Sequence, residues 1–297
     1  MEAIKDVGFI GLGVMGEPMC RNLATKTQLR IRANNLSPEP LKRLAAQGVE
    51  SVADIAKLAQ DSQVIFLSLP SGEVVHQLSH QQGGLLASAR PGQIVVDLGT
   101  SPAKLTRELA GDFAAKGVQF IDAPVARSRL AAEAGTLSCM VGAEPEIFER
   151  MKPLLATFAT DIALCGAVGC GQVVKILNNY LLYQAGAALA EAAAIGERSG
   201  IAQPLLFEVL SKGSADSFAV RHHGIKAIAP RNFPLRSFSV EYARKDMRYA
   251  IELANSVGLD ARWGHDVDGL FEKAIEAGHG DEYWPVISRL FDIEAVE

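Results

Sequence analysis

Short apolar runs alternate with more polar, helix-like segments through the first half of the chain. The runs that suit buried strands are Val7–Ile10, Leu29–Ala33, Val64–Leu69, Ile94–Leu98, Val118–Ile121, Thr136–Val141 and Ile162–Cys165. The helix-like segments between the early runs are Gly16–Thr25, Pro40–Gln47, Ser51–Ala59 and Ser101–Lys116. Strands that alternate with helices predict a parallel sheet covered by helices on both faces.

The pattern changes after Gly166, where strand-like runs stop and helix-like segments continue. Between Gly171 and Ser199 only isolated glycines interrupt a helical run, and Gly200 is placed to end it. Later helix-like segments are Pro204–Ser211, Ser239–Val257 and Asp266–Ala277. We therefore predict an α/β domain at residues 1–165 and an all-α domain at residues 166–297, which opens with a long interdomain helix.

Composition limits the possible functions. The chain has 297 residues, of which 48% are hydrophobic and 21% charged, and its net charge is −5. This balance lacks the basic surface that binding to nucleic acid or to a membrane surface needs. No uncharged apolar stretch of about 18 residues is present, which argues against a membrane span. We expect no metal, because no zinc-binding spacing occurs among Cys20, Cys139, Cys165 and Cys170, and we expect these thiols to be reduced in a cytoplasmic protein. We expect no cleavable signal, because glycines interrupt the apolar run Val7–Gly16 and no basic segment precedes it.

A glycine motif joins the first predicted strand to the first predicted helix, in the run Gly11-Leu12-Gly13-Val14-Met15-Gly16. In dinucleotide-binding folds the first glycine permits a tight turn and the second lets the backbone approach a pyrophosphate. The third lets the helix pack closely on the strand, and the helix N-terminus offers amide groups to the phosphates. The motif alone is weak, but its strand–turn–helix context favours a Rossmann domain that binds NAD(P)H.

Several segments together resemble one family, the β-hydroxyacid dehydrogenases, which include hydroxyisobutyrate dehydrogenases and tartronate semialdehyde reductases. In the order and spacing of that family, these are Gly8–Met19, Leu69-Pro70, Asp97–Pro102, Asp122–Val125, Gly135–Leu137, Gly169–Gly171, Lys175 with Asn178-Asn179, and Lys245-Asp246. The resemblance implies a nicotinamide-dependent oxidoreductase that acts on a small anionic hydroxy acid or its semialdehyde. It also implies a homodimer or homotetramer that pairs through the helical domain.

The resemblance implies further contacts with the cofactor, at Leu69 and Pro70 on its adenosine side, at Thr100 near the nicotinamide ribose, and at Lys245. The positions that select between NAD and NADP follow the second strand and include Asn34, Asn35 and Ser37. An acidic residue there would bind the ribose hydroxyls of NAD, and an arginine would suit the phosphate of NADP. This chain has neither, and Asn35 and Ser37 can bond a hydroxyl or a phosphate, so we expect loose selection between the two cofactors.

Lys175 is the candidate for acid–base chemistry. The resemblance places it on the catalytic helix, and Asn178 and Asn179 follow on the same side of that helix at i+3 and i+4. Hydride transfer to a carbonyl develops negative charge on oxygen, which an ammonium group can stabilise and then protonate. The asparagine amides can orient a substrate hydroxyl or carboxylate without adding charge. A solvated helix lysine is the ordinary alternative.

The loop after Asp122–Val125 departs from the family pattern. Most members have Ser-Gly-Gly there, whereas this chain has Ala126-Arg127-Ser128-Arg129. We expect Arg127 and Ser128 to bind the anionic end of the substrate, because a guanidinium suits a carboxylate or a sulfonate. An arginine at this place resembles the branch that contains sulfolactaldehyde reductases, although Leu182 stands where that branch has a serine.

Three alternatives remain open at this stage. The loop arginines Arg127 and Arg129 could form surface ion pairs instead, for instance with Glu133. An imine reductase would share the N-terminal motif but usually replaces the catalytic lysine, so Lys175 argues against that activity. A non-catalytic nucleotide sensor on the same fold is the third alternative, and likeness of fold alone does not exclude it.

Overall fold

The chain forms two compact units, residues 1–175 and residues 176–297. They are described from a computed structural model, which describes residues 3–235 and 237–292. The division falls inside one 29-residue helix, Cys170–Arg198, which is the longest helix of the described chain. Among the described residues, no helix combines the length and the apolar character that crossing a membrane requires.

A nine-stranded sheet forms the centre of the first unit. Its strands are β1 (Asp6–Ile10), β2 (Arg30–Asn34), β3 (Glu50–Ser51), β4 (Val64–Leu67), β5 (Ile94–Asp97), β6 (Gln119–Asp122), β7 (Val125–Ala126), β8 (Leu137–Gly142) and β9 (Ala159–Gly166). They lie in the order β3-β2-β1-β4-β5-β6-β8-β7, and β9 pairs with β8. From β1 the strands β2 and β3 are added on one side, and β4 then begins the other side of β1, parallel to it. The loop after β1 lies at this switch point in the strand order, where such folds bind ligands.

Eight helices accompany the strands of the first unit before the long one begins. They are α1 (Gly16–Lys26), α2 (Pro38–Ala45), α3 (Ile55–Gln60), α4 (Gly72–His80), α5 (Leu85–Ser88), α6 (Ala103–Ala114), α7 (Arg129–Ala134) and α8 (Pro145–Leu155). Alternate strand residues point to opposite faces, so Phe9 and Phe66 join one apolar cluster while Ile65 and Leu67 join another. Both faces of the sheet are therefore apolar, which is why both need helices.

The predicted α/β class with a helical second unit is confirmed, with corrections. The predicted helix Ser51–Ala59 begins only at Ile55, because Ser51 pairs in β3 and the Asp54 carboxylate caps the helix through the Ala56 amide. The sheet is not wholly parallel, since β8 runs antiparallel to β6 and β7. The sequence pattern also missed α4, α5, α7 and α8.

The regular elements of the second unit are all helices among the described residues, apart from one isolated bridge between Ser239 and Tyr283. After the long helix, α9 (Cys170–Arg198), come α10 (Gln203–Leu210), a π-helix (Val220–Ile228), α11 (Val240–Ser256), α12 (Arg262–Glu276) and a 3-10 helix (Trp284–Phe291). Trp284 lies at the centre, edge-on to Tyr183 with ring centroids 5.2 Å apart. Gly186 makes room for it, because a Cβ there would lie 2.1 Å from the indole.

Candidate active site

The glycine loop between β1 and α1 shows why two of its glycines are required by the protein itself. Gly11 has φ +94°, and a Cβ there would lie 2.2 Å from the Ser68 carbonyl oxygen. A Cβ on Gly16 would lie 2.1 Å from the Gly11 carbonyl oxygen. Both positions therefore exclude a side chain even without any ligand.

Gly13 differs from its two neighbours in the motif. It is exposed, its φ lies outside the left-handed region, and a Cβ there would meet no atom within 4 Å. Nothing in the protein requires a glycine here, but a pyrophosphate lying on the loop would. Met15 precedes α1 without a side-chain capping bond, so the first turn of the helix is suited to a phosphate. The loop thus fits a dinucleotide cofactor.

Two further loops, at the ends of β4 and β5, lie beside the glycine loop. A Cβ on Gly11 would lie 3.1 Å from Leu69 Cδ2, and one on Gly99 would lie 2.9 Å from the Leu69 carbonyl oxygen. Thr100, next to Gly99, is buried. The structure therefore brings together the predicted cofactor positions of three separate segments: the glycine loop, Leu69-Pro70 and Thr100.

The side chains predicted to select the cofactor are bonded within the protein. Asn35 accepts from the Leu12 amide at 2.8 Å through Oδ1 and donates to the Ser37 carbonyl at 2.9 Å through Nδ2. Asn34 donates to the carbonyls of Val52 and Ala53. The side-chain amides of Asn34 and Asn35 are thus already used within the protein. The side chain of Ser37 makes no capping bond to α2.

Arg32, one of the two cations on β2, is bonded within the protein and is therefore not free to select the cofactor. Its guanidinium pairs with Asp6 at 3.0 Å and with Glu50 at 3.2 Å, and it donates to the Asp61 carbonyl at 3.0 Å. Only 13% of the side chain is exposed. Leu36, by contrast, is fully exposed in the loop that follows β2.

A buried carboxylate, Asp122, holds the start of α9. It accepts the backbone amides of Gly169 at 2.6 Å and of Gln172 at 2.7 Å. These amides lie at the N-terminus of the helix, where N–H groups have no partner within the helix itself. Burial raises the pKa of Asp122 to about 6, although the two amide bonds act in the opposite direction.

Lys175 lies on the second turn of α9 and is 8% exposed, which is rare for a lysine. One turn further on, Asn179 is buried, whereas Asn178 is exposed and donates to Asn179 Oδ1 at 3.0 Å. Asn179 in turn donates to Asp246 Oδ2 at 2.6 Å. The helix therefore carries a buried amine and, on the same side, a buried amide whose orientation is fixed.

Asp246 is the centre of a polar cluster in the second unit. Its carboxylate is fully buried, accepts from Asn179 and from the Tyr183 hydroxyl at 3.3 Å, and lies 3.0 Å from Lys245 Nζ. The Lys245 ammonium also lies over the rings of Tyr242 and Tyr249, at 4.2 and 4.9 Å from their centroids. The predicted cofactor contact of Lys245 would thus use an ammonium that already has an ion-pair partner.

The loop after Asp122–Val125 has an unusual backbone at Arg127. Its φ is +89°, a value that favours glycine, and glycine is the family's usual residue there. The guanidinium pairs with Asp161 at 2.6 Å and donates to the Thr136 carbonyl at 2.6 Å. Ser128 caps α7 by accepting the Ala131 amide at 3.3 Å. Arg127 and Ser128 are therefore engaged within the protein, and binding an anion would require at least Arg127 to share or exchange its partners.

The surface ion pairs that we weighed as an alternative are found for both loop arginines: Arg127 pairs with Asp161 at 2.6 Å, and the Arg129 guanidinium lies 2.9 Å from Glu133. Sequence reasoning missed the contacts of Asp97, Asp122 and Gln172, although a signal was present. Each aspartate follows buried apolar residues at the end of a strand, and a carboxylate in such a place needs buried donors.

Known proteins match both halves of the chain. The family model for the NAD-binding domain of 6-phosphogluconate dehydrogenase matches residues 6–169. The model for the NAD-binding region of NADP-dependent 3-hydroxyisobutyrate dehydrogenase matches residues 169–287. These two matches together cover nearly the whole chain.

Individual relatives match over almost their full lengths. The 2-(hydroxymethyl)glutarate dehydrogenase of Eubacterium barkeri is 32% identical, over 98% of this chain and 96% of its own. The 3-sulfolactaldehyde reductase of Escherichia coli is 30% identical, over 95% of this chain and 94% of its own. The structure of Mycobacterium tuberculosis 3-hydroxyisobutyrate dehydrogenase with L-serine superposes with a TM-score of 0.88 at 28% identity, covering 98% of this chain and 100% of that one.

Proposed function

This chain belongs to the β-hydroxyacid dehydrogenases, and from that premise we propose that it interconverts a small anionic hydroxy acid and its semialdehyde, with Lys175 as the general acid and base. The observation that carries the proposal is the burial of Lys175 beside a buried amide on the anchored helix α9. A lysine with only 8% of its surface exposed is poorly placed for a solubilising role and well placed to exchange a proton with a bound substrate.

The bound nicotinamide supplies or accepts the hydride. Lys175, as an ammonium, stabilises the negative charge that develops on the substrate oxygen and then gives that oxygen a proton. In the oxidative direction the neutral amine takes the proton of the alcohol. Asn178 and Asn179 orient the substrate through their amides, and Asp246 holds the amide of Asn179.

The cofactor is proposed to lie on the first unit, with its pyrophosphate over the open position at Gly13. The proposed contacts are the residues of the glycine loop, Asn34, Asn35, Ser37, Leu69, Pro70, Thr100 and Lys245. The open space at Gly13, together with the close approach of Leu69 and Gly99, supports this placement on the first unit. The main role proposed for the domain at residues 1–165 is cofactor binding, and that for the domain at residues 166–297 is substrate binding and pairing.

The substrate class is proposed from what the relatives have in common. The named substrates are hydroxymethylglutarate and sulfolactaldehyde, and the solved relative contains L-serine. All are small and carry an anionic group, a carboxylate or a sulfonate. A test is the oxidation of NADH and NADPH with a panel of carboxylate and sulfonate semialdehydes, comparing the wild type with Lys175→Ala. Turnover of cyclic imines alone, or cofactor binding without turnover of any substrate, would contradict the proposal.

Arg127 is proposed to bind the anionic end of the substrate. Arg127→Gly should raise KM for an acidic semialdehyde by about 10- to 100-fold, the loss of one charge-assisted bond, and hardly change KM for a neutral aldehyde of similar size. Stability should change little, because glycine relieves about 1 kcal/mol of backbone strain while a half-exposed ion pair contributes about the same.

Two matched variants serve as controls for the role of Arg127. Arg129→Ala removes a neighbouring guanidinium whose partner is Glu133, and should leave KM unchanged. Asp161→Asn frees the Arg127 guanidinium and should lower KM for the acidic substrate or leave it unchanged. Equal responses of the acidic and neutral substrates to Arg127→Gly would assign Arg127 a purely structural role.

Selection between NAD and NADP is expected to stay within about 100-fold in kcat/KM, or about 3 kcal/mol. The loop after β2 has no carboxylate to repel a phosphate, and Arg32 is fixed in ion pairs. Leu36→Arg should shift the ratio about tenfold or more toward NADP, because it adds a cation to an exposed position beside the ribose. Steady-state kinetics with each cofactor test both statements, and a wild-type preference of many thousandfold would contradict the first.

A homodimer or homotetramer is proposed for the native state. Helix α9 carries an exposed apolar stripe on one face, made of Val174, Leu177 and Leu181, with Ile195 further along. Light scattering at micromolar concentration should give a multiple of the 31.7 kDa chain mass, and a monomer would contradict the proposal.

A cytoplasmic location is proposed as well, supported by four cysteines that are all free thiols.

A further inference from the structure

The side chain of Gln172 joins the catalytic helix to the loop after β5. Its Oε1 accepts the Ser101 amide at 3.0 Å, and its Nε2 donates to the Gly99 carbonyl at 2.9 Å. The same Nε2 lies 3.4 Å from Asp97 Oδ2, and the Asp97 carboxylate also accepts from Ser101 Oγ at 2.7 Å. Gln172 is completely buried, so water cannot replace these bonds.

The backbone beside Gln172 is fixed independently of its side chain. The Asp122 carboxylate holds the Gln172 amide, and Gly171 lies so close to β8 that a Cβ would be 2.3 Å from the Met140 carbonyl oxygen. These backbone contacts hold the first turn of the helix against β6 and β8. The side-chain bonds of Gln172 to Gly99 and Ser101 add a link to the neighbouring loop, which the backbone contacts do not provide.

We propose that Gln172 is a positioning residue, which holds Lys175 in fixed relation to the loop Gly99–Ser101. Lys175 follows Gln172 by three residues, so the two side chains share one side of the helix, one turn apart. Thr100, at the centre of the loop, is a proposed contact of the nicotinamide end of the cofactor. The Gln172 amide thus fixes the position of the proton donor relative to the hydride carrier. This role rests on the proposed function above.

Such a link matters because proton and hydride transfer both depend on short, well-oriented approaches. A displacement of about 1 Å at a reacting group can lower turnover about 100-fold. An apolar side chain of similar length would fill the same volume but would leave the Ser101 amide and the Gly99 carbonyl without their partner. The loop and the helix would then be free to separate slightly, while the glycine loop and the rest of the cofactor contacts stay unchanged.

The test is Gln172→Met, with Gln184→Met as the matched control on the same helix. Gln184 has a buried Nε2 without a hydrogen-bond partner among the described residues, so its replacement removes no such bond. For Gln172→Met, kcat should fall about 10- to 100-fold, with a much smaller change in the Kd for NADH or NADPH. The primary isotope effect with 4-deuterated cofactor should rise, because hydride transfer becomes slower than product release. Gln184→Met should match the wild type in each measurement.

A merely structural role would lower Tm but leave kcat per folded molecule and the isotope effect as in the wild type, and that result would overturn the inference. If Gln172→Met does not fold, Gln172→Asn is the second variant. Its amide is one methylene shorter, cannot reach the loop from the same backbone, and should show the same loss of kcat. A wild type without activity, or a fully active Lys175→Ala, would defeat the proposed function instead, so the two failures are distinguishable.

Discussion

Lys175→Met is expected to lower kcat by a factor on the order of 10² or more while leaving the Kd of the cofactor nearly unchanged. Methionine fills a volume close to that of lysine at a position with 8% exposure, so the core around it is preserved. What the variant loses is the group that we propose to protonate the substrate oxygen in one direction and to deprotonate the alcohol in the other. Saturating steady-state kinetics, with cofactor fluorescence titration for Kd, measure the two quantities separately.

Lys212→Met is the control for replacing a lysine as such. Lys212 lies on the surface, with its side chain 67% exposed and paired with Glu208 on the neighbouring helical turn. Its replacement should leave both kcat and Kd as in the wild type. Near-normal turnover of Lys175→Met would refute the catalytic assignment, whereas loss of cofactor binding together with activity would point to a structural role for the lysine.

Gly13→Ala should raise the Kd for NADH and NADPH by a factor on the order of 10², the equivalent of about 3 kcal/mol from one or two charge-assisted bonds to phosphate. The added Cβ would occupy the space proposed for the pyrophosphate of the cofactor. In the absence of cofactor the same methyl group meets no atom within 4 Å, so the free energy of unfolding should not fall. Calorimetric titration and chemical denaturation of the free protein measure the two effects.

Gly111→Ala is the matched control for Gly13→Ala. Gly111 lies within α6 and also has open space around a Cβ, so alanine there should stabilise the helix by up to about 1 kcal/mol without affecting cofactor binding. Unchanged cofactor affinity in Gly13→Ala would show that no phosphate approaches this loop. A large loss of stability would show that the glycine serves the fold.

The central strands were predictable because each is an apolar run that must be buried on both faces. Phe66 and Leu67, adjacent in β4, belong to two different apolar clusters, and no polar residue interrupts that strand. The edge strand β7 has only two residues, and its pairing with Ser138 and Cys139 of β8 depends on a turn of the chain that no local pattern records. Helix α8 was hidden for a different reason, since Pro153 lies inside it.

The candidate site was likewise predictable only where its features are local in the sequence. The glycine loop is local, so its spacing was enough to assign a separate role to each of its glycines. The partners of Gln172 lie 71 and 73 positions earlier in the chain, at Ser101 and Gly99, and only the folded sheet brings them together. The direction of Arg32 was likewise undetermined by alternation along β2, because its partners Asp6 and Glu50 lie on two neighbouring strands.

The left-handed backbone at Arg127 has a consequence for how this loop can evolve. Every arginine codon becomes a glycine codon through a change of its first base, so the two residues are one mutation apart. At most positions such an exchange would weaken the fold, but here glycine suits the φ of +89° at least as well as arginine does. A gene of this kind can therefore lose or regain the loop guanidinium, and with it the contact proposed for the anionic end of the substrate, without passing through an unstable intermediate.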